Sequence, residues 1–343
     1  MFITPLIAAP MAGGTTTTEL ALAAQGAGAF AFAAGGYKTA DQLAAHIAPL
    51  RATGLDFGVN LFVPRDAPLS ARGVAALSAY RTSLRSTAQR YGAQLPAVAP
   101  DKDKVQDYWT EKMALLLADP VPLVSFTFGL ASNEVVASLH KVGTRVAASV
   151  TNVAEALAAG ATGVDALIVQ HAGAGGHTAA FLPSKATPPD ASGTLAQLVA
   201  AIGAAVSLPL VGAGGVSGPS DAKAALAAGA VAVAIGTALI RTDESGARQL
   251  HKDALADPFY NETAMTRSFT GKPARALVNE FVREHTACAP EAYPEVHFLT
   301  APLRSAAAAA QDPRAVNLWA GIGWKSAQSG PAAAVVGSFL HEL

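Results

Sequence analysis

The segment from Ala166 to Phe181, ALIVQHAGAGGHTAAF, joins a continuously apolar run to a glycine-rich loop that ends on a histidine. The run Ala166 to Val169 has the pattern of a strand buried on both faces. Gly173, Gly175 and Gly176 then remove the Cβ atoms that would hold a ligand away from the backbone, so a flat or anionic molecule can rest on main-chain N–H groups. His177 carries the one side chain whose unperturbed pKa lies near neutrality, and it can take or hold a proton without extreme tuning. Taken alone, the loop reads equally well as an ordinary turn with a surface histidine.

Two later junctions, GAGGVSGPSDAKAAL from Gly212 and AIGTALIRTDES from Ala234, again place glycines after an apolar run. If they are the last two strand-to-helix turns of a barrel, Gly214, Gly215, Gly236 and Thr237 supply backbone N–H groups, a helix start and a hydroxyl for one phosphate. Otherwise they are glycines that permit tight turns. Asn60 and Gln170 each end an apolar run, and a primary amide donates and accepts at once. That suits the alternating N–H and C=O edge of a flavin or a base, or a satisfied amide in the core.

The positioning elements follow from alternation. Short apolar runs exchange with alanine-rich amphipathic segments over most of the chain, which argues for an α/β fold with a parallel sheet. Eight strands are expected: Ile3 to Ala9, Ala29 to Ala34, Phe57 to Phe62, Leu123 to Phe128, Arg145 to Val150, Ala166 to Gln170, Pro209 to Gly212 and Ala230 to Ile235. Eight is the number of a (β/α)8 TIM barrel. An open dinucleotide-binding sheet would need G-x-G-x-x-G at the first turn, where this chain has PMAGGTTTTEL. The segment 64–120 is too long for one crossover and is expected to be a helical insertion at the barrel mouth. Residues 1–240 would then form the barrel and 241–343 a mostly helical extension packed on it.

Composition narrows the partners. The 343 residues are 51% hydrophobic and 14% charged, enough for a large core. A net charge of −1 without a basic run gives no attraction for nucleic acid or an anionic membrane. The single cysteine, Cys288, allows no internal disulfide and no cysteine-ligated metal cluster, which fits a reducing, cytoplasmic setting. Prolines and glycines interrupt the apolar first thirty residues, and no positive charge precedes them, so no signal peptide is expected. Gly212, Gly214 and Gly215 likewise break the uncharged stretch Ala191 to Ser220, so no membrane span is expected. Nothing in the sequence signals an oligomeric state.

PMAGG at Pro10, FGVNLF at Phe57, VSFTFG at Val124, VQHAGAGGH at Val169, GAGGV at Gly212 and IGT at Ile235 occur in that order. Together they resemble nitronate monooxygenase, the FMN-dependent barrel family formerly called 2-nitropropane dioxygenase. In the tail, TRSFTGKPAR, AYPEVHFLTAPLR and NLWAG are similar to its bacterial form with a long C-terminal extension. The resemblance covers nearly the whole chain. It implies FMN held by Pro10, Met11, Ala12, Asn60, Gln170, Gly175, Gly176, Gly214, Gly215 and the run Ala234, Ile235, Gly236 and Thr237, with His177 as the active-site base and no metal. The implied reaction is oxidation of a small alkyl nitronate by O2 to a carbonyl compound and nitrite. One departure stands out: after the glutamine the family usually has a small residue and, two positions on, a glutamate, where this chain has His171 and Gly173. His171 is therefore a competitor for the catalytic role, although its place directly after the strand suits packing better. Two rivals share the fold expectation, an FMN-dependent NAD(P)H enoyl-ACP reductase and a flavin-binding protein without turnover. Lys272, Tyr293, Trp319 and Lys325 are candidates to close the pocket.

Overall fold

The structure, a computed structural model, describes residues 4–65, 67–97, 101–182 and 193–343. Its strands, in chain order, are β1 (Leu6–Ala8), β2 (Phe30–Ala34), β3 (Phe57–Phe62), β4 (Leu123–Thr127), β5 (Arg145–Val150), β6 (Ala166–Gln170), β7 (Gly176–His177), β8 (Leu210–Ala213), β9 (Ala232–Ile235), β10 (Thr263–Thr266) and β11 (Ala274–Leu277). The parallel strands β1 to β6, β8 and β9 close into a barrel, with β9 returning to β1. The eight expected strands are therefore those of the barrel, with shifted ends. Ile3 lies outside the described residues. β4 stops at Thr127 because Phe128 turns to φ 77°, and β9 starts late because Ala230 still donates back to the preceding helix at Ala225.

Period-two alternation divides each strand between two cores. Phe30 and Phe32 of β2 and Ala232 and Ala234 of β9 point into the barrel, while Ala31, Ala33, Val233 and Ile235 face the surrounding helices. Phe32 fills the space left by a missing side chain on its neighbour: a Cβ on Gly58 would lie 2.2 Å from its ring. Thr17, Thr39, Ser132, Asn152 and Thr194 each accept a backbone N–H at a helix start, which explains the polar punctuation after the apolar runs.

The segment after β3 contains the helices Ala71–Ser83, Arg85–Arg90, Lys102–Val105 and Trp109–Ala118. Its first two helices share an apolar cluster with the tail through Leu77, Tyr80, Leu84 and Ala88, and the last packs on the barrel through Met113 and Leu116. The tail is helical at Gln249–Ala254, Glu280–His285, Glu295–Ala309 and Ala332–Leu340, but it also carries a sheet that the sequence reading missed. There β11 runs antiparallel to β10 on one side and to β7 on the other. The final helix packs Ala332, Val335, Val336 and Phe339 into the barrel's outer core, so the core crosses the boundary expected at residue 240. Among the described residues no helix is long and apolar enough to cross a membrane.

Candidate active site

The C-terminal ends of the barrel strands open into a cavity of about 520 Å³, within the usual range for small-molecule sites. Its floor is apolar, with Ile7, Phe32, Ile168, Val211 and Ala234. Of the residues expected at the site, Pro10, Met11, Ala12, Asn60, Gln170, Gly175, Gly176, His177, Gly214, Gly215, Ala234, Gly236 and Thr237 line it. Ile235 does not. It alternates with Ala234, and its side chain is buried in the helix-facing core.

The loop after β6 is held by the tail. Gly176 and His177 pair with Arg275 and Ala274, and Thr178 N–H donates to Pro273 O at 2.9 Å. Gln170 grips the same loop: its Nε2 donates to His177 O at 3.1 Å, and its Oε1 accepts from Ala179 N–H at 2.7 Å. Farther along, the buried Glu155 accepts from the N–H groups of Phe181 and Leu182 at 2.8 and 3.0 Å. The Gln170 amide thus grips the protein's own backbone while still lining the cavity. Asn60 is similarly engaged, its Nδ2 donating to the hydroxyls of Ser125 and Thr127 at 2.9 Å each.

His177 Nε2 lies 2.9 Å from Thr270 Oγ1. That hydroxyl is itself directed at Lys272 O, 3.2 Å away, so it accepts from Nε2–H and leaves the lone pair on Nδ1. The rings of Phe128, Tyr293 and Trp319 surround the imidazole, with centroids 5.6, 5.6 and 5.4 Å away. Burial, reinforced by the Lys272 and Arg304 charges, pushes the His177 pKa down to about 3. The ring is neutral at neutral pH. His171 is buried apart from the cavity lining, and its Nδ1 accepts from Gly173 N–H at 3.1 Å, which is a packing role.

Two loop glycines are required by neighbouring backbone. A Cβ on Gly175 would lie 2.5 Å from Gly321 N, and one on Gly214, at φ 93°, would lie 2.6 Å from His171 O. The β6 loop, the β8 loop and the tail around Gly321 therefore meet backbone to backbone.

The comparisons with known proteins agree over the whole chain. The family model described as nitronate monooxygenase matches residues 1–342. The chain belongs to the nitronate monooxygenase family. A probable nitronate monooxygenase of Staphylococcus saprophyticus is 33% identical over 92% of this chain and 88% of its own length, and one of Bacillus subtilis is 33% identical over 94% and 90%. The solved structure of nitroalkane oxidase from Streptomyces ansochromogenes superposes with a TM-score of 0.93 at 44% identity, covering 100% of this chain and 96% of that one. FabK from Thermotoga maritima, at 22% identity and a TM-score of 0.72 over 99% and 93% of the two chains, shares the fold. The protein is an oxidoreductase of nitro compounds, in a family that is flavin-dependent.

The cavity also takes residues that the sequence did not single out as site residues, most of them from within the quoted motifs. Tyr37, Phe128, His251, Thr270, His297, Arg304 and Asn317 all line the cavity. Tyr37 stacks on His297 with centroids 4.3 Å apart and planes 3° apart, and Tyr293 Oη donates to Tyr37 Oη at 3.0 Å. Of the residues expected to close the pocket, Trp319 lines it and Tyr293 stands beside His177. Lys272 instead lies over the Phe128 ring and donates to Ala180 O, with burial pulling its pKa down to about 8. Lys325 is exposed beside Trp324 and does not line the cavity.

Proposed function

We propose that the cavity holds FMN and that the enzyme oxidises alkyl nitronates, such as propionate 3-nitronate, with O2 to a carbonyl compound and nitrite. The composition of the cavity lining carries this reading: a glycine cup, an apolar floor, an uncharged histidine and, among the described residues, no Asp or Glu. Gly214, Gly215, Gly236 and Thr237 would hold the single phosphate, and Ile7, Phe32, Ile168, Val211 and Ala234 offer an apolar bed for a planar ring system. When bound, FMN supplies the electron transfer between nitronate and O2.

The protein's share is position and protons. With Nε2–H committed to Thr270, Nδ1 of His177 is the atom that removes the α-proton of a neutral nitroalkane. As the proton leaves a neutral nitroalkane, the nitronate charge that develops beside the ring favours the imidazolium that forms. Preformed nitronates need no such step. Phe128, Tyr293 and Trp319 keep water from the ring.

The purified protein should be yellow and release FMN, not FAD, on denaturation. Propionate 3-nitronate added under air should then drive O2 uptake and nitrite release in step. A colourless protein that FMN cannot reconstitute would overturn the cofactor assignment. Rapid anaerobic bleaching by NAD(P)H without nitronate turnover would favour a reductase, and flavin without either reaction would favour a binding protein.

A further inference from the structure

The cavity's charge is one-sided. Among the described residues lining it, Arg248 and Arg304 are the only charged side chains. Arg248 is exposed at the surface, where water screens it. Arg304 projects from the helix Glu295–Ala309 and is held by neutral acceptors alone. Its Nε donates to Thr300 Oγ1 at 3.1 Å, Nη1 to Asn317 Oδ1 at 3.0 Å and Nη2 to His297 O at 2.9 Å. No carboxylate among the described residues lies within ion-pair distance of it. Burial draws its pKa down to about 10, which still leaves it charged at neutral pH.

A half-buried guanidinium that is oriented yet not neutralised is set to take a ligand, and its fork matches a carboxylate or phosphate. The phosphate of FMN already has the glycine cup. Arg304 stands instead on the wall that leads to His177: it touches His297, which stacks on Tyr37, whose hydroxyl meets that of Tyr293 beside the His177 ring.

We propose that Arg304, steadied by Asn317, binds a carboxylate carried on the substrate's tail and so selects carboxylated nitronates over plain alkyl nitronates. This rests on the nitronate-oxidising reading above. It assigns to one residue the discrimination between substrates that present the same reacting group to His177. Losing a charged hydrogen-bond partner costs about tenfold to a hundredfold in binding.

The test compares kcat/KM for propionate 3-nitronate and propyl-1-nitronate in the FMN-loaded wild type, Arg304→Lys and Arg304→Gln, with flavin content and Tm recorded for each. Arg304→Gln should lose about tenfold to a hundredfold on the carboxylated substrate, mainly through KM, and less than about threefold on propyl-1-nitronate. Arg304→Lys should recover part of the loss. Equal losses on both substrates, unchanged kinetics on both, or loss of FMN from Arg304→Gln would overturn the proposal. A second readout does not depend on turnover: calorimetric titration with succinate, an unreactive dicarboxylate. Weaker succinate binding in Arg304→Gln than in wild type supports the site even if no nitronate is oxidised, an outcome that would sink the proposed reaction alone. Equal binding in the two proteins overturns the site.

Discussion

At His177 the charge state is set by burial before any ligand arrives. A pKa near 3 leaves the imidazole neutral across the working pH range, so the free enzyme should show no kinetic break near the ordinary histidine value of about 6.5. A break should appear only with an anionic nitronate bound, whose charge shifts it upward. His177→Asn keeps a polar group of similar reach and removes the titratable nitrogen. FMN content should survive, while kcat/KM on neutral nitroalkanes falls about a hundredfold to ten-thousandfold and less on preformed nitronates. His171→Asn should disturb the Gly173 turn it supports and leave that substrate difference intact. A larger nitroalkane-specific defect in His171→Asn, with His177→Asn near wild type, would move the base to the other histidine. The sequence exposed His177 because glycines and an apolar strand frame it. It hid Thr270, which reaches the ring from 93 positions away.

At the scale of elements, the glycine loops were legible as places of close approach, but the identity of the approaching group was not. Gly175 and Gly214 are pressed by the protein's own backbone, while a Cβ on Gly236 would meet only Ala9 and Met11 at 3.6 and 3.7 Å, which is ordinary contact. Gly236 also has φ −121°, open to any residue. Gly236→Asp should therefore fold normally and lose flavin, because its carboxylate repels the phosphate. Gly175→Ala should instead lower stability by about 1–3 kcal/mol through overpacking, with flavin loss following from the distorted loop. Flavin per protein and the Tm of each flavin-free variant check this. A Gly236→Asp protein that retains full FMN would place the phosphate elsewhere. The opposite wall was illegible for a different reason. Tyr37 and Phe128 enter the cavity from left-handed backbone, at φ 64° and 77°, where the turning residue is itself an aromatic and its glycine neighbours, Gly36 and Gly129, do not mark it out. Tyr37 tolerates that conformation because its N–H donates to Asp107 Oδ1 at 2.7 Å, and Asp107 is in turn paired with the buried Lys112 at 2.7 Å.

Over the whole molecule, the alternation of apolar runs with capped helices made the barrel readable, whereas the tail's sheet was not. TAMT and ARAL carry little periodicity, and their third strand is the two-residue β7. That sheet, with the final helix, makes tail and barrel one folded unit around several buried histidines, and acid stability should report it. Burial pushes the pKa of His177 to about 3 and those of His46 and His251 to about 4, and it lowers His285 and His297 as well. In the unfolded chain each returns to about 6.5. Above pH 6.5 both states are deprotonated and the histidines add no pH dependence. Between about pH 6.5 and 4 the unfolded chain takes up protons that the folded one excludes, so stability falls with pH, by about 1.4 kcal/mol per pH unit for each fully excluded proton. The Tm of the flavin-free protein should therefore drop steadily from about pH 6.5 to 5, before ordinary carboxylates titrate. His251→Gln, which can still donate to Trp319 O, should make the drop shallower while leaving the Tm at pH 7.5 closer to wild type. A flat Tm over that range, or an unchanged slope in His251→Gln, would mean that these rings take up protons within the fold.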